Sequence, residues 1–180
     1  MARQNLILQL EQYNSGFPVE MEFKTRFIKL LVHPDCFHRH HLPGHLTGSS
    51  WIIDHTKKYV LLTHHAKLNK WLQPGGHADG DENVLSVAMR EAEEETGLTN
   101  LTVNNDIFDI DIHEIPARGD MPAHDHFDIR FLFYADKNEP LMQNHESNEL
   151  RWVKLDDVDS LTNGNESIMR MVEKIKTTSH

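Results

Sequence analysis

Residues 76–98 read GHADGDENVLSVAMREAEEETGL, and they close with four glutamates in five positions, Glu91, Glu93, Glu94 and Glu95. Val84, Leu85, Ala88 and Ala92 recur on one face at helical spacing, which predicts a helix over 82–96 with Gly97 as its C-terminal cap. On that helix Glu91, Glu94 and Glu95 fall at i, i+3 and i+4 and share a face, while Glu93 points elsewhere into solvent. Like charges at that spacing cost about 0.2–0.5 kcal/mol per pair. They also lie near the helix C-terminus, where the macrodipole already disfavours anions. A solvated acidic face is the ordinary reading of such a run. Here it sits beside a second feature, the glycine-rich stretch LQPGGHADGDE at 72–82, which leads straight into the helix. A hard divalent cation would offset the repulsion, because Mg²⁺ takes carboxylate oxygens, phosphate and water. A Gly75-Gly76 turn can bring a backbone carbonyl near such an ion.

Outward from this segment the chain alternates helices and strands. Leu6, Leu10 and Tyr13 predict a helix over 3–14, and Phe23, Phe27, Leu30 and Leu31 a second over 19–32. The stretch HPDCFHRHHLPGHLTGSS (33–50), rich in Pro, Gly and His, reads as a connecting loop. SWIID (50–54) and YVLLTH (59–64) read as strands around a polar turn. In DIFDIDIHEI (106–115) Phe108, Ile110 and Ile112 alternate with Asp109, Asp111 and His113, which predicts a strand with one apolar face. HFDIRFLFY (126–134) and LRWVKL (150–155) are further strands. Ile168, Met171, Val172 and Ile175 mark a final helix from about Asn165. No internal repeat interrupts this order. It is that of an α/β or α+β domain with helices packed on a sheet.

The bulk properties narrow the function. A chain of 180 residues suits one domain with a substantial core. A net charge of -10 argues against nonspecific nucleic-acid binding. Cys36 is the single cysteine, so no disulfide forms within the chain, and a reducing, cytoplasmic location is expected. The N-terminal apolar run LILQL is too short for a signal or membrane span, and no membrane association is expected.

Position by position, residues 76–98 resemble the Nudix box: Gly76, five residues, Glu82, seven residues, Arg90-Glu91, the apolar Ala92, one residue, Glu94-Glu95, one residue, Gly97 and the apolar Leu98. The pattern constrains nine of its 23 positions, too many for coincidence. The flanking WLQPGG and ELRWVKLDDV also look like the neighbouring strands of Nudix hydrolases, and the resemblance extends over roughly residues 48–176. It implies an α/β/α sandwich with a mixed sheet over residues 46–180, preceded by a helical extension over 1–45. It also implies a Mg²⁺- or Mn²⁺-dependent hydrolase that cleaves a pyrophosphate linkage in a nucleoside diphosphate joined to another group. Carried onto this chain, Glu94 and Glu95 would be the core metal ligands, with Glu91 a further ligand or the general base. The Gly75 carbonyl would complete the set. Arg90 would orient a glutamate by a charge-assisted hydrogen bond. Glu82 would be a peripheral ligand or a partner of Arg90. Glu146 is the candidate for a carboxylate supplied from outside the box, with Glu149 next. A nucleotide-sensing module of the same fold without turnover is the alternative, although such proteins tend to lose these glutamates.

Other residues fall outside the box. His124 and His126, two apart, would face the same side of a strand, and His77 lies in the glycine-rich loop. The functional reading is a substrate cleft or phosphate site, with zinc as a further option because imidazole suits it; the plain reading is a polar loop. His64 and His65 would add to the rim. Cys36, His38, His40, His41 and His45 are expected to form a solvated loop, because one thiolate with irregular spacing is weak evidence for zinc. The leading helices are open to three roles: covering the cleft, extending the core, or forming a homodimer interface.

Overall fold

The computed structural model describes residues 2–178, so the outermost ends of the two expected segments, residues 1 and 179–180, lie outside it. In chain order the elements are α1 (Ala2–Gln12), α2 (Pro18–Leu30), β1 (Gly44–Asp54), β2 (Tyr59–His65), β3 (Lys70–Leu72), β4 (Gly75–His77), α3 (Val84–Thr96), β5 (Thr102–Ile115), β6 (His124–Ala135), β7 (Ser147–Lys154), α4 (Val158–Thr162) and α5 (Glu166–Thr178). Hydrogen-bonded neighbours in the seven-stranded sheet follow the order β3-β2-β1-β6-β5, with β4 on β1 and β7 on β2. The chain divides into two compact units. The first is Met1–Ser49, Gly75–Ala88 and Asn105–Phe131; the second is Ser50–Pro74, Met89–Asn104 and Leu132–His180. Among the described residues no helix is long and apolar enough to cross a membrane.

In the first unit the leading helices are part of the core. Leu6 and Leu10 of α1 and Phe27 and Leu30 of α2 are buried, and Phe27 meets Phe127 edge-on at 5.2 Å between ring centroids. Glu20 is completely buried on α2. Its carboxylate accepts hydrogen bonds from the Tyr13 hydroxyl at 2.7 Å, the Ile110 amide at 3.1 Å and the Ser15 hydroxyl, so its charge is fully engaged. Of the three roles open to these helices, the structure thus shows extension of the core.

The loop after α2 corrects an expectation. Cys36 and Phe37 are buried rather than solvated, and the Arg3 guanidinium lies 4.9 Å from the Phe37 ring. The Cys36 carbonyl accepts from the Leu46 amide at 2.8 Å and the Phe37 carbonyl from the Gly80 amide at 2.9 Å. Burial pushes the Cys36 thiol up to about 11, which leaves it an inert apolar side chain at neutral pH. His45 is buried as well, because β1 begins at Gly44, six residues before the expected strand. All eleven residues of β1 are buried, and with Leu46 as its one large apolar side chain the segment 44–49 lacks the apolar run that marks a buried strand.

Three polar strand faces meet in this unit around Arg130. Its guanidinium donates to Asp128 at 2.8 Å, to Asp109 at 3.0 Å and to Asp111 at 3.2 Å. Asp128 in turn accepts from Thr47 at 2.9 Å and Ser49 at 2.7 Å on β1. Arg130, Asp109, Asp111 and Asp128 are all buried, so the carboxylates of β5 that alternate with Phe108 and Ile110 do not form a wet face. Burial alone would lower the Arg130 pKa; Asp111, Asp128 and Asp109 outweigh it and raise it far above the ordinary guanidinium range. Close packing also reaches α3: a Cβ on Gly48 would lie 2.8 Å from the Val84 carbonyl oxygen, so glycine lets the first turn of α3 rest on β1. The helix starts at Val84 because the Asn83 side chain accepts from the Ser86 amide at 3.3 Å as its N-cap, which leaves Glu82 outside.

In the second unit β2 is central. It pairs antiparallel with β1 (Ile52↔Leu61), β3 (Thr63↔Leu72) and β7 (Leu61↔Trp152). The helix α5 buries Ile168, Met171, Val172 and Ile175, the stripe read from sequence. It begins where the Asn165 side chain accepts from the Ile168 amide at 3.0 Å. The strands β3 and β4 and the helix α4 are three to five residues long, too short for a periodic signal. Replacing Arg130 by Met leaves three buried carboxylates without their cation. The expected outcome is a loss of about 3–5 kcal/mol in unfolding free energy. Equilibrium urea denaturation checks it, and a change within error of zero would refute the role given to Arg130.

Candidate functional site

The box carboxylates occupy the last turns of α3, in the second unit. Glu95 is buried, Glu91 half-buried, and Glu93 and Glu94 exposed. Arg90 lies 3.1 Å from the carboxylate of the adjacent Glu91. The helix ends at Gly97, whose φ of 73° is left-handed and suits glycine. A Cβ there would lie 2.5 Å from the Met142 Cβ. That closeness reflects a docked loop: the Met142 amide donates to the Thr96 carbonyl at 2.8 Å, and the Asn144 side chain to the Glu94 carbonyl at 3.2 Å. These bonds satisfy carbonyls that an α-helix leaves open at its C-terminus. The same loop carries Glu146, whose amide donates to the Asn144 side-chain oxygen at 2.9 Å. Glu146, exposed and two residues from a direct contact with the Glu94 backbone, is thus held at the carboxylate end of α3. Glu149 instead pairs with Arg151, at 2.8 Å to its Nε.

The glycine turn lies in the first unit. There β4 pairs antiparallel with β1 in the register Thr47↔His77, Gly48↔Gly76 and Ser49↔Gly75. A Cβ on Gly75 would come within 2.1 Å of the Ser49 Oγ and 2.9 Å of the Gly48 carbonyl oxygen, so no larger residue fits. Ser49 is itself held by Asp128, which places the Gly75 backbone one contact from the Arg130 cluster. Glu82 meets Arg3 of α1 at 2.8 Å.

His77, His124 and His126 do converge, and His45 joins them. The His45 ring lies 5.2 Å from His77, 5.0 Å from His124 and 5.0 Å from His126, and His77 lies 4.8 Å from His126. His113 reaches the edge of the group, 5.5 Å from His126. His45 faces the His41 carbonyl through Nδ1 at 3.3 Å, and His124 faces the Pro122 carbonyl through Nδ1 at 2.9 Å. In both cases the carbonyl can only accept, so Nδ1 carries the proton. Burial, opposed by the His41 carbonyl and assisted by neighbouring His77 and His124, lowers the His45 pKa to about 4. Burial and the surrounding imidazoles lower that of His126 to about 2. Both rings are therefore neutral at physiological pH. His45 was missed as a site residue, although His45, Thr47 and Ser49 stand at alternate positions, the one signal that could have placed it on a common face. His64 and His65 end β2 in the second unit, where His64 packs 5.1 Å from Trp71.

Comparison with known proteins bears on the family and the fold. Residues 45–174 match the model of the NUDIX domain. A segment of 56 residues is 39% identical to an m7GpppN-mRNA hydrolase, NUDT17, of Xenopus laevis; it spans 28% of this chain and only 19% of that protein. Among solved structures, a C. elegans Ap4A hydrolase in a binary complex superposes with a TM-score of 0.60 at 21% identity, covering 74% of this chain and 96% of the other. The MutT protein of Methanosarcina mazei Go1 superposes with a TM-score of 0.61 at 22% identity, covering 76% and 95%. The mixed sheet with its helices is the fold of these structures, and with the family pattern matched over most of its length the chain belongs to the NUDIX domain family.

Proposed function

We propose that this chain is a metal-dependent hydrolase that cleaves a pyrophosphate linkage in a nucleoside diphosphate-X type substrate. The observation that carries the reading is the cluster of Glu91, Glu94 and Glu95 on the last turns of α3, together with the loop that bonds to those turns and brings Glu146. The donor set fits Mg²⁺ or Mn²⁺: the ligands are carboxylates and a backbone carbonyl, hard oxygens throughout, and Arg90 is the only cationic residue in α3.

In this reading Glu94 and Glu95 would hold the ion with Glu91, and the resemblance to the family adds the Gly75 carbonyl as a further ligand and Glu82 as a peripheral one. A divalent cation bound there would neutralise phosphate oxygens and lower the pKa of water. Arg90 fixes the Glu91 carboxylate, and Glu91 or Glu146 accepts the proton of the attacking water. His77, His124 and His126 are proposed to give polar contacts to the substrate, and His126, being neutral, would do so without adding positive charge. The relatives' names, an m7GpppN-mRNA hydrolase and an Ap4A hydrolase, both denote nucleosides joined through polyphosphate, which supports a small nucleotide or capped substrate of that class.

Glu94 is exposed, so Glu94→Gln is expected to fold normally while losing metal-dependent phosphate or nucleotide release by at least about 100-fold. Full activity in this variant would sink the mechanism. Glu146→Gln is expected to lower kcat with little change in KM, as steady-state kinetics would show, and an unchanged kcat would remove Glu146 from the site. A panel of nucleotide substrates with Mg²⁺ and with EDTA separates the hydrolase from a sensor: binding without release from any substrate would establish the sensor.

A further inference from the structure

The first unit contains a second set of potential metal ligands, of a different chemical type. The nitrogen ligand atoms of His45, His77 and His126 all lie within 4.8 Å of one another. The Nε2 atoms of His45 and His126 are both buried without a hydrogen-bond partner. A buried polar atom left unsatisfied is costly, and two in one cluster call for a ligand. Their protonation state fits a cation rather than an anion. The His41 carbonyl takes the Nδ1 proton of His45, which leaves Nε2 with a free lone pair. This is the arrangement metal-binding histidines use, with the second ring nitrogen donating to a carbonyl that fixes tautomer and orientation.

We infer that His45, His77 and His126 bind one divalent transition-metal ion of the zinc class, at a site separate in its donors from the box carboxylates. Imidazole nitrogen selects zinc over Mg²⁺, whereas the all-oxygen set of the box prefers the hard cation. Three nitrogens on a tetrahedral zinc stand about 3.3 Å apart. The three ligand atoms, within 4.8 Å of one another, lie about 1.5 Å or less beyond that spacing. Rigid elements hold two of the three ligands: His45 lies on the fully buried β1, and His126 lies on β6 two positions before the Asp128 that bonds to Thr47 and Ser49. His77 comes from β4, whose pairing with β1 sets it opposite Thr47. Three histidines would leave a fourth position for water or a substrate oxygen, and the His124 ring, its Nδ1 bonded to the Pro122 carbonyl, lies 5.0 Å from His45 and 5.3 Å from His126. The inference rests on the histidine geometry and does not depend on the hydrolase reading.

The test uses the untagged full chain, freed of metal and returned to buffer with excess Mg²⁺. Zinc is titrated by calorimetry, and Co²⁺ is added in parallel as a visible-absorbing substitute. The expected result is one zinc per chain and the visible band of four-coordinate cobalt. His45→Gln and His126→Gln should each weaken zinc binding by at least about tenfold, while His55→Gln on the exposed turn after β1 leaves it unchanged. His77→Gln, at a half-buried position, serves as the ligand variant if circular dichroism shows that the buried substitutions unfold the protein. Absence of zinc binding in the wild type overturns the proposal. So does zinc binding that survives all three ligand substitutions, or that is lost in Glu94→Gln and kept in the histidine variants, since the ion would then sit on the box carboxylates.

Discussion

The Arg130 guanidinium sets the geometry of the first unit. It sits on β6, bonds two carboxylates of β5 and one of its own strand, and through Asp128 reaches two hydroxyls of β1. A slip of one residue in any of these strands would turn the bonded side chain to the opposite face and leave a charge buried alone. The consequence runs onward from Ser49, whose hydroxyl is held by Asp128 and leaves room for only a glycine at position 75. A polar cluster with no assigned chemistry thus determines where the glycine turn runs.

The same sheet face explains why the histidines cluster. His124, His126, Asp128 and Arg130 are alternate residues of β6, and His45, Thr47 and Ser49 are alternate residues of β1. Each strand therefore carries a polar strip on one side, with imidazoles at one end and the Asp-Arg network at the other. The network end is closed by its own hydrogen bonds. The imidazole end retains two buried nitrogens without a partner, so the two ends differ in what they can still accept.

Much of this was legible in the sequence where a pattern repeats. The apolar stripe of α5, the helix α3 with its glutamate face, and the strands β2, β5, β6 and β7 follow from periodicity, and the box from its spacing. What escaped reading has a common physical cause. A period-two pattern separates apolar from polar, but it does not separate a polar face in water from one buried against another charged strand. Asp109 and Asp111 look like solvent-facing residues until Arg130, about twenty positions later, is brought against them. His45 looks like part of a loop because the first half of β1, apart from Leu46, is polar or small while being buried on both sides. The docking of the Glu146 loop depends on side-chain bonds to helix-end carbonyls, which leave no trace in composition.

The leading helices do more than add apolar contacts. The strand β5 lies last in the sheet order, so one of its sides has no neighbouring strand. Glu20 accepts from the Ile110 amide on that strand, and Gln9 donates to the Asn105 carbonyl at 3.3 Å. These helical side chains occupy main-chain groups that an extended segment of another molecule would otherwise pair with. Open strand margins of this kind template intermolecular association, and natural sheets cover or charge them. Residues 2–30 therefore cover part of that margin with a buried glutamate in place of an additional strand.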